Sequence, residues 1–287
     1  MSAENISEIE TLQQAQAEPA QPHPKTDARG VVAFLDTTFT KSLFSVLLIL
    51  YFLFLVVARA PASIAAWAAH KAVPALWLTS VSGTLWQGVA GGAQIDLADQ
   101  PMALGEVRWR LDPWSLLLLN PCVNFETHIP GQMISGELCQ SLAGVSKVNQ
   151  LSLEAPVTLI NPILPFDAAG QFSLDVISAE FDRKQVSQFN ARISWQNARI
   201  KPDDNWIGLG FFAATANEDG NGGIAAEIFD LDSSFTLALK AHWQPGDENW
   251  SMGGTITPKS NAPQLIVQGL QSFGEEVEAG TYKVQWP

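Results

Sequence analysis

A chain of 287 residues, 47% of them hydrophobic, is long enough for one large all-β domain or two smaller ones and has ample material for a core. Its 16 Lys and Arg stand against 29 Asp and Glu, a formal net charge of -13, with no cationic cluster past residue 60. The basic footprint that a phosphate backbone requires is therefore missing, and nucleic acid is not an expected partner.

Residues 1–36 are rich in Glu, Gln, Ala and Pro, including Pro19, Pro22 and Pro24, and show no hydrophobic period. That composition predicts a disordered tail, taken to extend to residue 41. Residues 42–58 then read SLFSVLLILYFLFLVVA, 17 residues without a charge, bracketed by Lys41 and Arg59. As a helix they span about 26 Å, against a hydrocarbon core of roughly 30 Å, and flanking cations snorkel across such a difference. A transmembrane helix over 42–58 is expected. A buried core helix is the first alternative, although it would carry a polar face. A cleavable signal peptide is the second, suggested by Ala58-Arg59-Ala60 but opposed by the long acidic tail and by Pro61 after the cut. Lys25, Arg29 and Lys41 on one side against Arg59 and Lys71 on the other leave the orientation open. The composition of residues 60–73 allows the helix to continue as far as Val73, where Pro74 stops it.

From residue 75 to 287 the period changes to two. Val107, Trp109 and Leu111 alternate with Arg108, Arg110 and Asp112, and Phe172, Leu174 and Val176 with Ser173 and Asp175. The pattern returns at Phe189, Ala191, Ile193 and Trp195, and at Phe235, Leu237, Leu239, Ala241 and Trp243. Strands with one buried and one wet face, punctuated by Gly and Pro, predict a twisted or curved antiparallel β-sheet domain. Two short helices are expected within it: one capped by Asp112-Pro113 and reaching Leu119, the other over residues 262–273.

Cys122 and Cys139 lie symmetrically about Pro130-Gly131. A hairpin centred there pairs the cysteines directly, puts Val123, Phe125 and Leu138 on one face, and puts Asn124, Glu126, Ser135 and Glu137 on the other. In an oxidising compartment this register predicts a disulfide on the wet face; the alternative is two reduced, partly buried thiols. Pro-Gly favours a type II turn, which suits a two-residue hairpin less well than the primed types, so a longer loop stays open.

Motifs for catalysis are missing. His23 and His70 lie outside the strands, His128 and His242 stand alone on strands, and no nucleophile elbow, phosphate-cradling glycine pattern or metal-ligand spacing occurs. Asp203-Asp204 and EDGNGG (residues 218–223) read as solvated acidic turns, with calcium as the lesser alternative. No cofactor, metal or small-molecule substrate is expected.

One stretch carries a resemblance. Residues 81–90, VSGTLWQGVA, with VRWRLDP at 107–113, the Leu116-Leu117 pair, Gly136 after a hairpin and Gly280-Thr-Tyr near the end, resemble the type II secretion system protein N family. In this motif Ser82, Gly83, Thr84, Leu85, Trp86 and Gly88, together with Trp109, read as structural: the glycines suit a tight turn or bulge, and the indoles suit packing on the sheet. The resemblance implies a Gram-negative inner-membrane protein with a cytoplasmic N-terminus and a periplasmic domain. It implies a non-enzymatic accessory role in the export of folded proteins, with the secretin or the inner-membrane platform as partners. A lipid-carrying β-sheet is the alternative function.

Overall fold

The structure, a computed structural model, describes residues 38–97, 100–164, 166–182, 184–202, 204–247 and 250–286. The tail expectation for residues 1–36 and the acidic Asp203 lie outside them. The chain divides into two compact units, residues 1–57 and 58–287.

In the first unit, helix α1 (Thr38–Ala58) is 21 residues long, about 31 Å at the helical rise. Side chains are described from Ser42 onward, and all those through Arg59 are exposed. Among the described residues no helix is long and apolar enough to cross a membrane. The uncharged run is 17 residues, while the helical backbone reaches back to Thr38.

The helix does not continue to Val73 as one piece, which corrects the sequence expectation. Pro61 has no N–H to donate to Val57, adopts an extended backbone (φ -69°, ψ 151°) and pairs with Thr84 as an isolated bridge. A separate helix, α2 (Ala62–Ala72), starts after it and ends just before Pro74.

The second unit is built on one antiparallel sheet. Its first strands are β1 (Leu76–Gly83), β2 (Gln87–Leu97), β3 (Gln100–Leu111), β4 (Cys122–Ile129), β5 (Gln132–Gln140) and β6 (Ser146–Pro156). Helix α3 (Pro113–Leu117) lies between β3 and β4. The sheet continues with β7 (Asp167–Phe181), β8 (Val186–Lys201), β9 (Ile207–Glu218), β10 (Ile224–Ser233), β11 (Phe235–Trp243) and β12 (Ser251–Pro258). Helix α4 (Gln264–Phe273) then precedes β13 (Glu275–Glu278) and β14 (Thr281–Trp286). Each strand pairs with the next through β12; β14 then pairs with β12 and leaves the short acidic β13 at the edge. Short charged edge strands discourage edge-to-edge association.

The period-two pattern sorts the faces. Leu174, Ile193, Ala214, Ile228 and Leu239 align across five strands, and the adjacent row is Val176, Ala191, Ala216, Ala226 and Ala241. On the opposite face the row is Asp175, Arg192, Thr215, Glu227 and Lys240. Val176, Ala179, Ala191, Ala216, Ala226 and Ala241 belong to one buried cluster, packed against Leu174, Phe189 and Ile228. Burying a Val or Leu side chain in this way stabilises by about 1.5–3 kcal/mol. A second cluster joins Ala62, Ala90 and Trp109.

Both short helices exist. Asp112 accepts a hydrogen bond from the Trp114 amide (3.2 Å) and caps α3, which ends at Leu117 rather than Leu119. One helical segment was not expected: a 3-10 helix, Val157–Ile163, follows β6. Its stretch of apolar residues has no helical or strand period, so periodicity alone does not reveal it.

Candidate functional site

The residues of the SGTLWQG stretch form a joint. Gly83 has φ +96°, where L side chains are strained, and a Cβ there would lie 2.6 Å from the Gln87 carbonyl oxygen. Ser82 pairs with Val89 in the ladder. The turn closes when the Thr84 amide donates to Gln87 O (2.8 Å) and the Gln87 amide donates to Thr84 Oγ1 (3.2 Å). Next, the Leu85 amide donates to Ala60 O (2.8 Å), tying the sheet to the segment between α1 and α2, and Trp86 O accepts from the Leu111 amide (2.8 Å). Gly88 lies under the Trp109 ring, whose Nε1 donates to Leu85 O (3.3 Å). Ala62 and Ala90 are 2% and 0% exposed, so small residues let α2 approach the sheet closely. Of the flanking residues, Arg59 is exposed, while Lys41 is described only as helical backbone.

A second feature is the corner between β3 and β5. Cys122 pairs with Cys139, Val123 with Leu138, Asn124 with Glu137 and Phe125 with Gly136, and Ile129 opposite Gln132 leaves Pro130-Gly131 as a two-residue loop. A disulfide joins the cysteines. The faces are less cleanly sorted than the alternation predicts. Cys139 is buried, whereas Leu138, on the face expected to be dry, is 41% exposed. The loop of residues 112–121 is tied to the ends of these strands: Ser115 Oγ donates to Asp112 O (2.6 Å) and accepts from the Cys122 amide (2.8 Å), and the Gln140 amide donates to Pro121 O (2.9 Å). Alternation reports which face a residue takes, not what folds over it. Glu137 lies close enough to both sulfurs to suggest a metal cluster, but the disulfide leaves no thiolate to bind one.

His128 is exposed on β4. His242 does not stand alone: its Nε2 lies 2.5 Å from Asp219 Oδ2. Asp219 Oδ1 also accepts from the amides of Asn221 (2.7 Å) and Gly223 (2.9 Å). Those two amides, Gly223 first, together with His242, hold the Asp219 carboxyl below the usual carboxylate range, against the opposing effect of its burial. The EDGNGG carboxylate is thus committed to organising its own turn. His242 also lines a groove of about 400 Å³ with Glu227, Lys240 and Ser251.

A larger cavity, about 500 Å³, lies between the dry face and the segment following β6. Val157, Ile160, Phe166, Trp195, Phe212 and Ile228 are among the side chains that line it. The 3-10 helix is fastened there by Asn161, whose Oδ1 accepts from the Ala168 amide (3.0 Å).

Comparison with known proteins decides the family. The family model described as type II secretion system (T2SS), protein N matches residues 74–285. The chain belongs to this family. It is 24% identical to type II secretion system protein N of Klebsiella pneumoniae over 222 residues, 73% of this chain and 81% of that one. The protein of the same name in Aeromonas hydrophila is 25% identical over 219 residues, 73% and 82% of the two chains. That of Vibrio cholerae is 26% identical over 218 residues, 72% and 82%. No solved structure matches.

Within this type II secretion system protein N domain, the residues of VSGTLWQGVA and VRWRLDP meet at one end of the sheet, around Ala60, whereas Gly136 lies within β5 and Gly280-Thr281-Tyr282 lie at the other edge of the sheet, where β14 begins. The Asp219–His242 pair and the cavity were not anticipated. Asp219 and His242 lie 23 residues apart, and only the joint register of β9, β10 and β11 brings them together.

Proposed function

We propose that the chain is a non-enzymatic accessory subunit of the type II secretion system. In this reading α1 anchors it in the Gram-negative inner membrane, residues 1–41 are cytoplasmic, and the sheet stands in the periplasm. There it contacts other secretion components, the secretin or the inner-membrane platform, and supports export of folded proteins across the outer membrane. The observation that carries the proposal is the family match over residues 74–285, nearly the whole sheet. The uncharged run of residues 42–58 supports the anchor, and the disulfide is of the kind that persists in oxidising compartments.

A reporter active only outside the cytoplasm should work when fused after Pro287 and fail when fused at Gly30; the reverse would overturn the compartment assignment. Site-specific crosslinking in secreting cells should trap the sheet on the secretin or the platform. Crosslinks to neither would remove the assigned partners.

The cavity favours a second reading, a lipid-carrying sheet. Its volume lies within the range of about 300–1,000 Å³ typical of small-molecule sites, and its lining is apolar. Lipid retained in a stoichiometric amount by protein purified in detergent would favour this reading over the first.

A further inference from the structure

One end of the sheet displays an apolar loop. Trp114, Leu117, Leu118, Leu119 and Leu142 are between 60% and 79% exposed, and no charged residue occurs from 113 to 122 or from 140 to 145. Contiguous exposed apolar surface of this kind marks an interaction site. The loop is held in place. Asp112 caps it, Ser115 bonds to both Asp112 and Cys122, the Asn120 amide donates to Ser115 O (2.9 Å), and the Leu142 amide donates to Leu119 O (3.3 Å). Leu119 takes φ +56°, an unfavourable backbone for a branched side chain, and is nevertheless turned outward.

Its place in the fold identifies what it meets. The chain leaves α1 at Ala58, and two residues later Ala60 O accepts from Leu85 in the β1–β2 turn. Trp86 of that turn accepts from Leu111, at the end of β3, where the loop begins one strand spacing away, about 4.8 Å. Arg59 and Arg110, both exposed, lie at the same end of the sheet. An apolar loop carrying a Trp and flanked by cations matches the composition of a membrane interface, with apolar side chains in the acyl region and cations at the phosphates.

We propose that residues 114–119, with Leu142, insert into the leaflet from which α1 emerges and set the sheet against the lipid surface; this rests on the reading of α1 as a membrane anchor. The test uses the full chain in phosphatidylethanolamine–phosphatidylglycerol vesicles. Nitroxides are placed one at a time by Leu118→Cys, Phe52→Cys and Gln100→Cys, with Cys122 and Cys139 left joined. All three positions are exposed, so the substitutions leave the core intact. Collision with oxygen should exceed collision with a water-soluble nickel chelate severalfold at 118 and 52, and the order should reverse at 100, at the far end of β3. A label at 118 as open to nickel as that at 100, with 52 in lipid, overturns the inserted loop and leaves the anchor standing. A nickel-exposed label at 52 overturns the anchor; if 118 still reports lipid, the loop binds membrane independently, and if 118 is also in water, both ideas fail.

Discussion

Gly88 and Trp109 face each other across β2 and β3, and a Cβ on Gly88 would come within 2.3 Å of the indole Cζ2. The indole can swing neither away nor down without losing its bond to Leu85 O and opening the cluster with Ala62 and Ala90. Gly88→Ala should therefore act as overpacking and cost about 1–3 kcal/mol. Denaturant unfolding of the full chain measures this. Because the clash is specific to the ring, Trp109→Leu should cost less in the Gly88→Ala background than alone. Strictly additive losses would mean that Gly88 is needed for some other reason.

The disulfide closes a loop with a sequence separation of 17, so removing it with Cys122→Ser and Cys139→Ser should destabilise by about 3 kcal/mol. Non-reducing mass spectrometry of protein from the envelope should find the two peptides joined. Ser115 bonds the Cys122 backbone, not its sulfur, so the loop of residues 112–121 should keep its position in the double variant. Secretion should then survive at low temperature and fail first on warming. Free thiols in native protein would remove the oxidised state from the account.

Much of this architecture is legible before any coordinates. The symmetry of Cys122 and Cys139 about Pro130-Gly131 yields the pairing that β4 and β5 adopt, because a one-residue slip would reverse every side chain in the hairpin. Alternation likewise locates the apolar rows through Leu174 and Ile193. Other features depend on information that a local pattern does not hold. Pro61 reads from sequence as an obstacle to cleavage; its extended backbone at the break between α1 and α2 is held by pairing with Thr84, beside the Leu85 amide bonded to Ala60 O, and these partners are far apart in the chain. The 3-10 helix has no period to detect. The burial of Cys139 on the face that alternation marks as wet has no local signal, and the Asp219–His242 contact follows from two strand registers combined.

The cavity also yields a prediction under the lipid-carrying reading. Ala214 lines it and is 8% exposed, so Ala214→Leu projects added volume into the space beneath Phe212 and Ile228. If the cavity holds an aliphatic chain, this variant should retain several-fold less lipid on purification while melting within about 1–3 kcal/mol of the parent. Unchanged lipid content would remove the cavity as the site.

Acid should weaken the sheet through identifiable carboxylates. Asp182 is held below the usual range by the amides of Lys184 and Gln185, and Asp219 by those of Gly223 and Asn221 with His242. For Asp230 burial acts in the raising direction, but the Lys259 ammonium (2.9 Å) and the Leu237 amide (2.8 Å) outweigh it and the net shift is downward. A lowered folded value means that the charged form is favoured by folding. Its stabilisation is complete above the unfolded value of about 3.9 and is lost as pH falls through the folded one. Stability should consequently hold steady from neutrality to about pH 5 and drop below about pH 4. Asp219→Asn removes one contributor: it should lower stability at neutral pH, flatten the acid limb, and converge on the parent at low pH. Hydrogen exchange at the Gly223 amide should quicken in the same variant. His242→Ala keeps both backbone bonds to Asp219, so it should leave that amide protected and secretion near normal; a secretion defect in a folded, normally accumulating His242→Ala protein would reveal a polar function for the groove beside Lys240 and Ser251.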